Sequence, residues 1–410
     1  MKKIHNTFIS LISQEIFLSG DHNIPLPDST QEWEELHRLA SSQHLWPVIY
    51  QCVADSQEYC QLPMDIQNKW MQEAMAFVAN QVNQTEELKN VCRLLSENGI
   101  PYIILKGLSC RRYYPQPDTR PSSDEDVLIN PDDYERCNEL LNSSGYIGED
   151  CFDPNSVQNE HEAHYRAKNG ALNLEIHFNA VGMENDRQKR LSEVFKDVFL
   201  HTETVQYEGE QLMVLEPTYQ LLHLLAHFYR HFFGSGVGVR QMIDVLILLK
   251  FESGRIDWTQ VEDLLEKGKM KNIFSAIVEA GIKYFNVEPK GIPENMWDRD
   301  VNPYDMIMDM LEGGIYGRTA DTGRKFTGYF SLELDTGHNV WLKILFPSQQ
   351  RLANRYPVLY HRKYLYAVYV VVRWFQLLKK YCANKKAVND FKLKIKAGKE
   401  RSNKLGQYIG

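Results

Sequence analysis

The sequence lacks an excess of positive charge. Of its 410 residues, 46 are Lys or Arg and 54 are Asp or Glu, so the formal net charge is −8 at pH 7. A protein that binds nucleic acid along its phosphate backbone normally carries a basic surface, and such a surface usually shows in the total charge. Nucleic acid is therefore disfavoured as a partner of this protein.

Paired cysteines and long apolar runs are also missing. The seven cysteines are scattered and show no Cys-x-x-Cys spacing, a pattern typical of reduced thiols in the cytoplasm and not of a zinc site or a disulfide framework. No run reaches the roughly 18 uncharged apolar residues that span a bilayer. Near the N-terminus, polar residues between Asn6 and Glu15 interrupt the apolar patches, so we expect no signal peptide. These observations predict a cytoplasmic protein without a membrane span.

The arrangement of apolar residues predicts helices at both ends of the chain. A length of 410 residues suggests two or three domains. Apolar residues recur at helical spacing from about residue 7 to residue 98, where Asn98-Gly99 is a typical helix stop. Helical spacing returns after Pro217 and continues in several segments. Between these two regions the apolar pattern is that of strands.

Two carboxylates mark the strand region. The apolar run Tyr102–Leu105 predicts a buried strand that ends at Lys106-Gly107. A second predicted strand opens with Asp124 and Asp126, whose side chains point to the same face because strand side chains alternate. Aligned carboxylates suit Mg²⁺, which prefers oxygen ligands and often shares them with substrate phosphates. This segment therefore predicts metal-assisted phosphoryl or nucleotidyl transfer.

A hairpin follows, with Asn169-Gly170 between two alternating segments, which is a strong hairpin signal. Its second strand, from Ala171 to Phe178, places Glu175 and His177 on one face. If this strand lies beside the strand of the two aspartates, Glu175 becomes a third acid of the site. His177 is then either a residue that supports the metal ligands or a ligand itself, and a partly buried, hydrogen-bonded His is the structural alternative.

The same residues resemble the DNA polymerase β-like nucleotidyltransferase superfamily, and more closely a bacterial family of uncharacterised nucleotidyltransferases. The resemblance lies in the Leu-Lys-Gly turn that ends at Gly107, in residues 120–129 and 174–177, and in the segment from Arg240 to Asp244. It implies an α+β fold in which a small mixed-sheet nucleotidyltransferase core lies between two helical regions. The predicted boundaries are 1–99 for the N-terminal helical region, 100–215 for the catalytic core and 216–410 for the C-terminal helical region.

The resemblance also implies a reaction, in which a nucleoside monophosphate moves from a nucleoside triphosphate to an acceptor and pyrophosphate is released. Mg²⁺ or Mn²⁺ is the expected cofactor, and the acceptor is an unidentified small molecule or protein. By position, the residues expected to bind the metal and to be catalytic are Asp124, Asp126 and Glu175. Those expected to bind the nucleotide are Gly107 and Ser109 in the phosphate turn, with Lys106 and Arg120 as further phosphate ligands.

Two departures from the family pattern motivate an alternative. Leu108 separates Gly107 from Ser109, and Glu125 stands between the aspartates where the family has an apolar residue. The alternative is a non-catalytic protein that keeps the nucleotidyltransferase fold for binding or regulation. A third reading is a phosphotransferase that moves the γ-phosphate and releases a nucleoside diphosphate.

Two further segments leave their roles open. His223, His227 and His231 recur at every fourth position, so they form one stripe on a predicted helix. This spacing can bind a transition metal, but no Cys or carboxylate accompanies it at motif spacing, and we favour packing or lining of a substrate pocket. The Lys-rich segment Lys385–Gly410 predicts either a solvated helix or a tail.

Overall fold

A computed structural model describes residues 1–18, 24–149, 161–182, 186–234, 236–313, 345–347, 349–353, 355–356, 358–382 and 385–409 of the chain. Helices precede and follow a group of strands. The N-terminal helices are α1 (Lys3–Phe17), α2 (Thr30–Ser42), α3 (Trp46–Val53), α4 (Gln57–Cys60) and α5 (Met64–Glu97). The strand region contains β1 (Tyr102–Ile104), α6 (Leu108–Arg111), β2 (Glu125–Ile129), α7 (Tyr134–Ser143), β3 (Tyr146–Gly148), β4 (Glu162–Ala167), β5 (Asn173–His177), α8 (Asp186–Ser192), β6 (Thr202–Tyr207) and β7 (Glu210–Leu215).

The C-terminal part of the chain is helical in the residues that the structure describes. Its helices are α9 (Pro217–Phe233), α10 (Val239–Glu252), α11 (Trp258–Lys267), α12 (Lys271–Phe285), α13 (Tyr304–Gly313), α14 (Gln349–Ala353), α15 (Val358–His361), α16 (Tyr366–Cys382) and α17 (Lys385–Leu405). No helix among the described residues is long and apolar enough to cross a membrane.

The strands form one mixed sheet of seven strands in the order β3-β4-β5-β2-β1-β7-β6. β1 and β2 are antiparallel, whereas β2 runs parallel to β5 and β1 runs parallel to β7. The central strands β1 and β2 are buried on both faces, as expected for the apolar run of β1 and in spite of the two carboxylates that open β2. Because β2 and β5 are parallel neighbours, their carboxyl-bearing residues lie side by side.

Each face of the sheet packs against helices. On one face, Ile103 of β1 and Leu128 of β2 join a core that includes Phe228 of α9 and Ile243 of α10. The opposite face, with residues such as Val127, packs against α5 and α7. The candidate site lies on the first face, where the apolar row of the sheet is interrupted by polar side chains.

The predicted α+β class, with a mixed sheet between helical regions, is confirmed. The strand that bears Glu175 lies beside the strand that bears Asp126, and the hairpin with the Asn169-Gly170 turn forms as predicted. The β6–β7 hairpin and the short β3 were not predicted. The turn of the β6–β7 hairpin is Glu208-Gly209, and both residues adopt positive φ, of 46° and 87°. Glu rarely adopts this conformation, so the turn has no strong sequence signal.

The three predicted regions contribute to one hydrophobic core. Phe8 and Trp46 from the N-terminal helices lie in the same cluster as Leu128 of the sheet and Phe274 of α12. The Lys-rich C-terminal segment is helical from Lys385 to Leu405. Between residues 392 and 404 most of its side chains are exposed or half-buried, but the segment ends in the core, where Leu405 and Tyr408 are fully buried. The domain boundaries stay a prediction.

Candidate active site

The pairing of β2 with β5 builds the centre of the site. In the parallel register Asp126 lies opposite Glu175, and Leu128 lies opposite His177. The Nε2 atom of His177 lies 2.9 Å from Oδ1 of Asp126 and 3.5 Å from Oε2 of Glu175. One ligand atom from each of these three residues lies within 4.8 Å of the others, a spacing that could hold a metal ion.

Lys106 supplies the positive charge of the site. It lies two residues beyond the end of β1, the strand beside β2, and its Nζ atom lies 3.1 Å from Oδ2 of Asp126 and 3.3 Å from Nε2 of His227. Asp126 is almost fully buried, and although Oδ2 is ion-paired with Lys106 it accepts no hydrogen bond of good geometry from the described residues. Nδ1 of His227 donates to Oε1 of Gln241, at 3.2 Å, and this contact leaves Nε2 free to accept from Lys106.

Glu175 is held in its ionised form. Burial by itself would raise the pKa of Glu175, but a hydrogen bond from His177 and the positive charge of Lys106 outweigh burial and hold that pKa below its usual range. The carboxylate is therefore charged at neutral pH and is available to a cation.

Asp124, the other member of the predicted aspartate pair, lies apart from this group. It directly precedes β2, is partly exposed, and its Oδ1 accepts a hydrogen bond of 3.0 Å from Oγ of Ser123. Among the described residues, no group of potential metal ligands within 4.8 Å of one another includes Asp124. The structure thus brings Asp126, Glu175 and His177 together and leaves Asp124 at the entrance of the strand.

Glu125 points to the other face of β2 and so does not enter the acidic group. Its carboxylate is fully buried, pairs with Arg111, and accepts hydrogen bonds from the backbone N–H of Leu108 at 3.2 Å and from Nε2 of Gln84 at 3.4 Å. Gly107 adopts a φ of +68°, and a Cβ at that position would lie 2.0 Å from Oε2 of Glu125. The unusual Glu125 therefore holds the turn that follows β1 and requires glycine there.

Two of the predicted nucleotide ligands make contacts within the protein. The hydroxyl of Ser109 is buried and donates to the backbone carbonyl of Leu105 at 3.1 Å. Arg120 is also buried, and its guanidinium donates to both carboxylate oxygens of Asp244, at 2.9 and 2.6 Å. Tyr114 donates to the same carboxylate at 2.8 Å. Binding of a nucleotide by Ser109 or Arg120 stays a prediction and would require these contacts to change.

The histidine stripe of α9 lies along the Lys106 side of the site. Burial, together with the nearby His177 and Lys106, lowers the pKa of His223 to about 3, and burial lowers the pKa of His231 to about 3 as well. Nδ1 of His223 donates to the carbonyl of Ala180 at 2.9 Å. These imidazoles are therefore neutral at pH 7. None of the three histidines belongs to a group of potential metal ligands within the described part of the chain.

Three residues at the start of β4, namely His161, Glu162 and His164, were not predicted as site residues. Oε2 of Glu162 lies 3.6 Å from Nδ1 of His177, and Nε2 of His164 lies 3.8 Å from Oε1 of Glu175. His161, just before β4, accepts a hydrogen bond of 3.0 Å at Nε2 from Arg230. The antiparallel register sets Glu162 opposite His177 and His164 opposite Glu175. This pairing follows from the sequence when residues are counted along both strands of the hairpin away from the Asn169-Gly170 turn.

The sequence matches a known protein family over the region that contains the site. The profile of a protein family described as "uncharacterised nucleotidyltransferase" matches residues 29–281, which is more than half of the chain. The chain belongs to this family. The matched segment contains the whole sheet and every residue of the site from Lys106 to Asp244. Membership implies a nucleotide substrate.

One solved structure is similar in part. It is an antigenic nucleotidyltransferase-like protein from Paracoccidioides brasiliensis, with 19% sequence identity and a TM-score of 0.30, and the match covers 50% of this chain and 97% of that chain. No curated protein matches the sequence of this nucleotidyltransferase family member.

Proposed function

We propose that the protein is a metal-dependent nucleotidyltransferase, which moves a nucleoside monophosphate from a nucleoside triphosphate to an acceptor and releases pyrophosphate. Family membership supports a nucleotide substrate. The observation that carries the proposal is the pairing of two buried or half-buried carboxylates, Asp126 and Glu175, on neighbouring parallel strands beside Lys106.

The acidic group fits a divalent cation. Oδ2 of Asp126 is buried and accepts no hydrogen bond of good geometry from the residues that the structure describes, while Glu175 is kept ionised by its neighbours. Oxygen atoms of this kind are ligands for Mg²⁺ or Mn²⁺. A cation held there would polarise the nucleotide phosphates and stabilise the charge that develops as the nucleotidyl group is transferred.

Lys106 is the residue we expect to bind the phosphates. Its ammonium group neutralises Asp126 when no ligand is present, and it is one fifth exposed, so it can move toward a phosphate oxygen. The neutral His227 on its other side accepts a hydrogen bond without adding a competing charge. Gly107 brings the backbone of the turn close to the site, and Glu125 fixes that turn from behind.

We assign supporting roles to Asp124, Arg120 and Ser109. Asp124 lies two residues before Asp126, and we expect it to complete the binding of a cation if its carboxylate leaves Ser123. Arg120 anchors the segment that leads into β2 through its paired hydrogen bonds to Asp244. Ser109 anchors the first turn of α6 through Leu105.

A non-catalytic nucleotide-binding or regulatory protein is the second candidate. The observations that favour it are the internal contacts of Ser109 and Arg120, which leave fewer side chains for the triphosphate. Glu125 no longer favours it, because that side chain lies on the opposite face from the acidic group.

The test combines binding with product analysis. The four nucleoside triphosphates are screened by thermal shift with Mg²⁺ and with Mn²⁺, because a ligand that binds the native state raises its apparent stability. Turnover is then followed as release of pyrophosphate, and a nucleoside diphosphate product would instead indicate γ-phosphate transfer. We expect Asp126→Asn to lower turnover by at least about a hundredfold, as removal of a central charge-stabilising group does in other enzymes.

The matched control is Asp132→Asn, which removes an exposed carboxylate just after β2 and should leave turnover unchanged. Turnover that survives Asp126→Asn in a folded protein would show that the site is elsewhere. Nucleotide binding without any product, tested with lysate-derived acceptors, would support the non-catalytic candidate.

A further inference from the structure

His177 has the contacts expected of a metal ligand, because one ring nitrogen faces the acidic group and the other faces a further carboxylate. It occupies the last position of β5, only 7% of its surface is exposed, and its two ring nitrogens face carboxylates on the two neighbouring strands. Nε2 faces Asp126 on β2, and Nδ1 faces Glu162 on β4. The imidazole thus lies between a candidate metal ligand and a second acid.

We propose that His177 binds the cation directly through Nε2, that Glu162 orients it through Nδ1, and that the centre formed with Asp126 and Glu175 prefers a first-row transition-metal ion to Mg²⁺. The proposal rests on the proposed function only in taking Asp126 and Glu175 as cation ligands. It adds a nitrogen ligand, a residue that positions that ligand, and the class of metal.

The distances suit one ion. Metal–ligand bonds to His nitrogen and to carboxylate oxygen are about 2.0–2.2 Å, so two ligands at right or tetrahedral angles are roughly 3.0–3.5 Å apart. Nε2 of His177 lies 2.9 Å from Oδ1 of Asp126 and 3.5 Å from Oε2 of Glu175. The three side chains therefore need little rearrangement to share an ion.

The contacts of the ring leave one of its nitrogens without a hydrogen bond. Because an ionised carboxylate only accepts, the contact with Asp126 makes Nε2 of His177 the donor. Nδ1 is buried without a hydrogen-bond partner among the described residues, although Oε2 of Glu162 lies 3.6 Å away.

An ion bound through Nε2 would give both ring nitrogens a partner. An imidazole binds a metal ion through an unprotonated nitrogen, so Nε2 would face the ion and Nδ1 would carry the proton. Nδ1–H can then donate to Oε2 of Glu162, which lies 3.6 Å away and needs to approach by about 0.7 Å to reach a normal hydrogen-bond length. A carboxylate behind a metal-binding His is a recurrent arrangement that fixes the ring and strengthens the ligand.

The nitrogen ligand determines the metal class. Mg²⁺ binds hard oxygen ligands and keeps much of its water, whereas imidazole is a good ligand for first-row transition metals, of which Zn²⁺ binds more tightly than Mn²⁺. A centre with two carboxylates and one imidazole should therefore bind Mn²⁺ and Zn²⁺ more tightly than Mg²⁺. We expect at least a tenfold lower Kd for Mn²⁺ than for Mg²⁺ in the absence of nucleotide.

The test uses Mn²⁺ as a spectroscopic probe of the full-length protein without nucleotide. Pulsed electron paramagnetic resonance detects the coupling of bound Mn²⁺ to a directly bonded nitrogen. We expect a ¹⁴N coupling that changes to ¹⁵N when the protein is labelled with ¹⁵N-histidine, and this readout needs no variant. Absence of a histidine coupling, or absence of Mn²⁺ binding, would overturn the proposal.

Variants then identify the histidine. His177→Gln should abolish the nitrogen coupling, while His164→Gln, which removes the imidazole opposite Glu175 on β4, should leave it intact. Coupling that persists in His177→Gln and disappears in His164→Gln would place the nitrogen ligand on β4 instead of β5 and would contradict the proposal. Glu162→Gln should keep the coupling but weaken Mn²⁺ binding by about tenfold, as loss of a partner behind a ligand typically does.

This experiment separates the inference from the proposed function. A histidine-coupled Mn²⁺ centre in a protein that produces no pyrophosphate would support the inference and contradict the reaction. Pyrophosphate release by a protein whose bound Mn²⁺ shows no histidine coupling would support the proposed reaction and contradict the inference about His177.

Discussion

At the scale of single residues, Glu125 changes the interpretation of the site most. The strand β2 alternates, so Glu125 leaves it on the face opposite Asp126 and reaches the buried guanidinium of Arg111. Arg111 also donates to Oγ1 of Thr85 on α5, while Glu125 accepts from the N–H of Leu108. One buried ion pair thus connects α5, β2 and the turn that carries Gly107.

Removing the charge of Glu125 should destabilise the protein strongly. In Glu125→Gln the guanidinium of Arg111 stays buried without its partner, and such changes cost about 3–5 kcal/mol in the free energy of unfolding. Urea unfolding followed by circular dichroism measures this loss. The control is Asp263→Asn, which breaks an exposed pair with Lys267 and should cost less than about 1 kcal/mol. A loss below about 1 kcal/mol for Glu125→Gln would contradict the role of this ion pair.

The same residue shows what a sequence can and cannot predict. The alternation that aligns Asp124 with Asp126 also sends Glu125 to the other face, so its separation from the acidic group was predictable. Its partner was not, because Arg111 lies on a helix after a tight turn, and their contact depends on how α6 packs beneath the sheet. Local patterns identify strands and faces, whereas partners across elements depend on tertiary packing.

At the scale of elements, α9 combines an apolar helix with a row of neutral histidines. Its apolar side chains pack on the sheet, and His223 points into the interior with Nδ1 bonded to the carbonyl of Ala180. Helical spacing predicted the stripe. It did not predict the charge state, which results from burial beside Lys106 and His177.

The histidines of α9 should make stability depend on pH. The pKa of His223 is lowered by burial from 6.5 to about 3 in the folded protein, so below pH 6.5 the unfolded chain binds a proton that the folded protein does not. Its contribution to stability is full above pH 6.5 and is lost progressively as the pH falls toward 3. For His223→Gln, we expect the fall in the free energy of unfolding between pH 6 and pH 5 to be smaller by about 1 kcal/mol than in the wild type.

The measurement is urea unfolding at a series of pH values between 5 and 7.5. Leu224→Ala is the control, because it destabilises the same helix without removing a titrating group, so its pH dependence should parallel that of the wild type. A pH dependence of His223→Gln that is equal to that of Leu224→Ala would mean that His223 is protonated equally in the folded and unfolded states.

At the scale of the whole molecule, the C-terminal segment closes the core. Arg401 of α17 donates two hydrogen bonds of 2.6 Å to Asp309 of α13, and a third, of 2.9 Å, to the carbonyl of Phe232 at the end of α9. Beyond α17, the ring of Tyr408 is fully buried and its hydroxyl donates to the carbonyl of Asn302 at 2.7 Å. The abundance of lysine hides this contact in the sequence, because between residues 392 and 405 only Gly398, Ser402 and Leu405 are buried.

Replacement of Tyr408 measures how much the chain end contributes to the whole fold. Tyr408→Ala should lower the free energy of unfolding by about 3–5 kcal/mol, since it leaves a cavity of aromatic size beside Phe232. Tyr408→Phe keeps the ring and removes the hydroxyl, so its cost should be about 1 kcal/mol. Because the three predicted regions share one core, both variants should unfold in a single transition with coincident tryptophan fluorescence and circular dichroism. Separate transitions, or equal stability of Tyr408→Ala and the wild type, would show that the C-terminal segment is not part of this core.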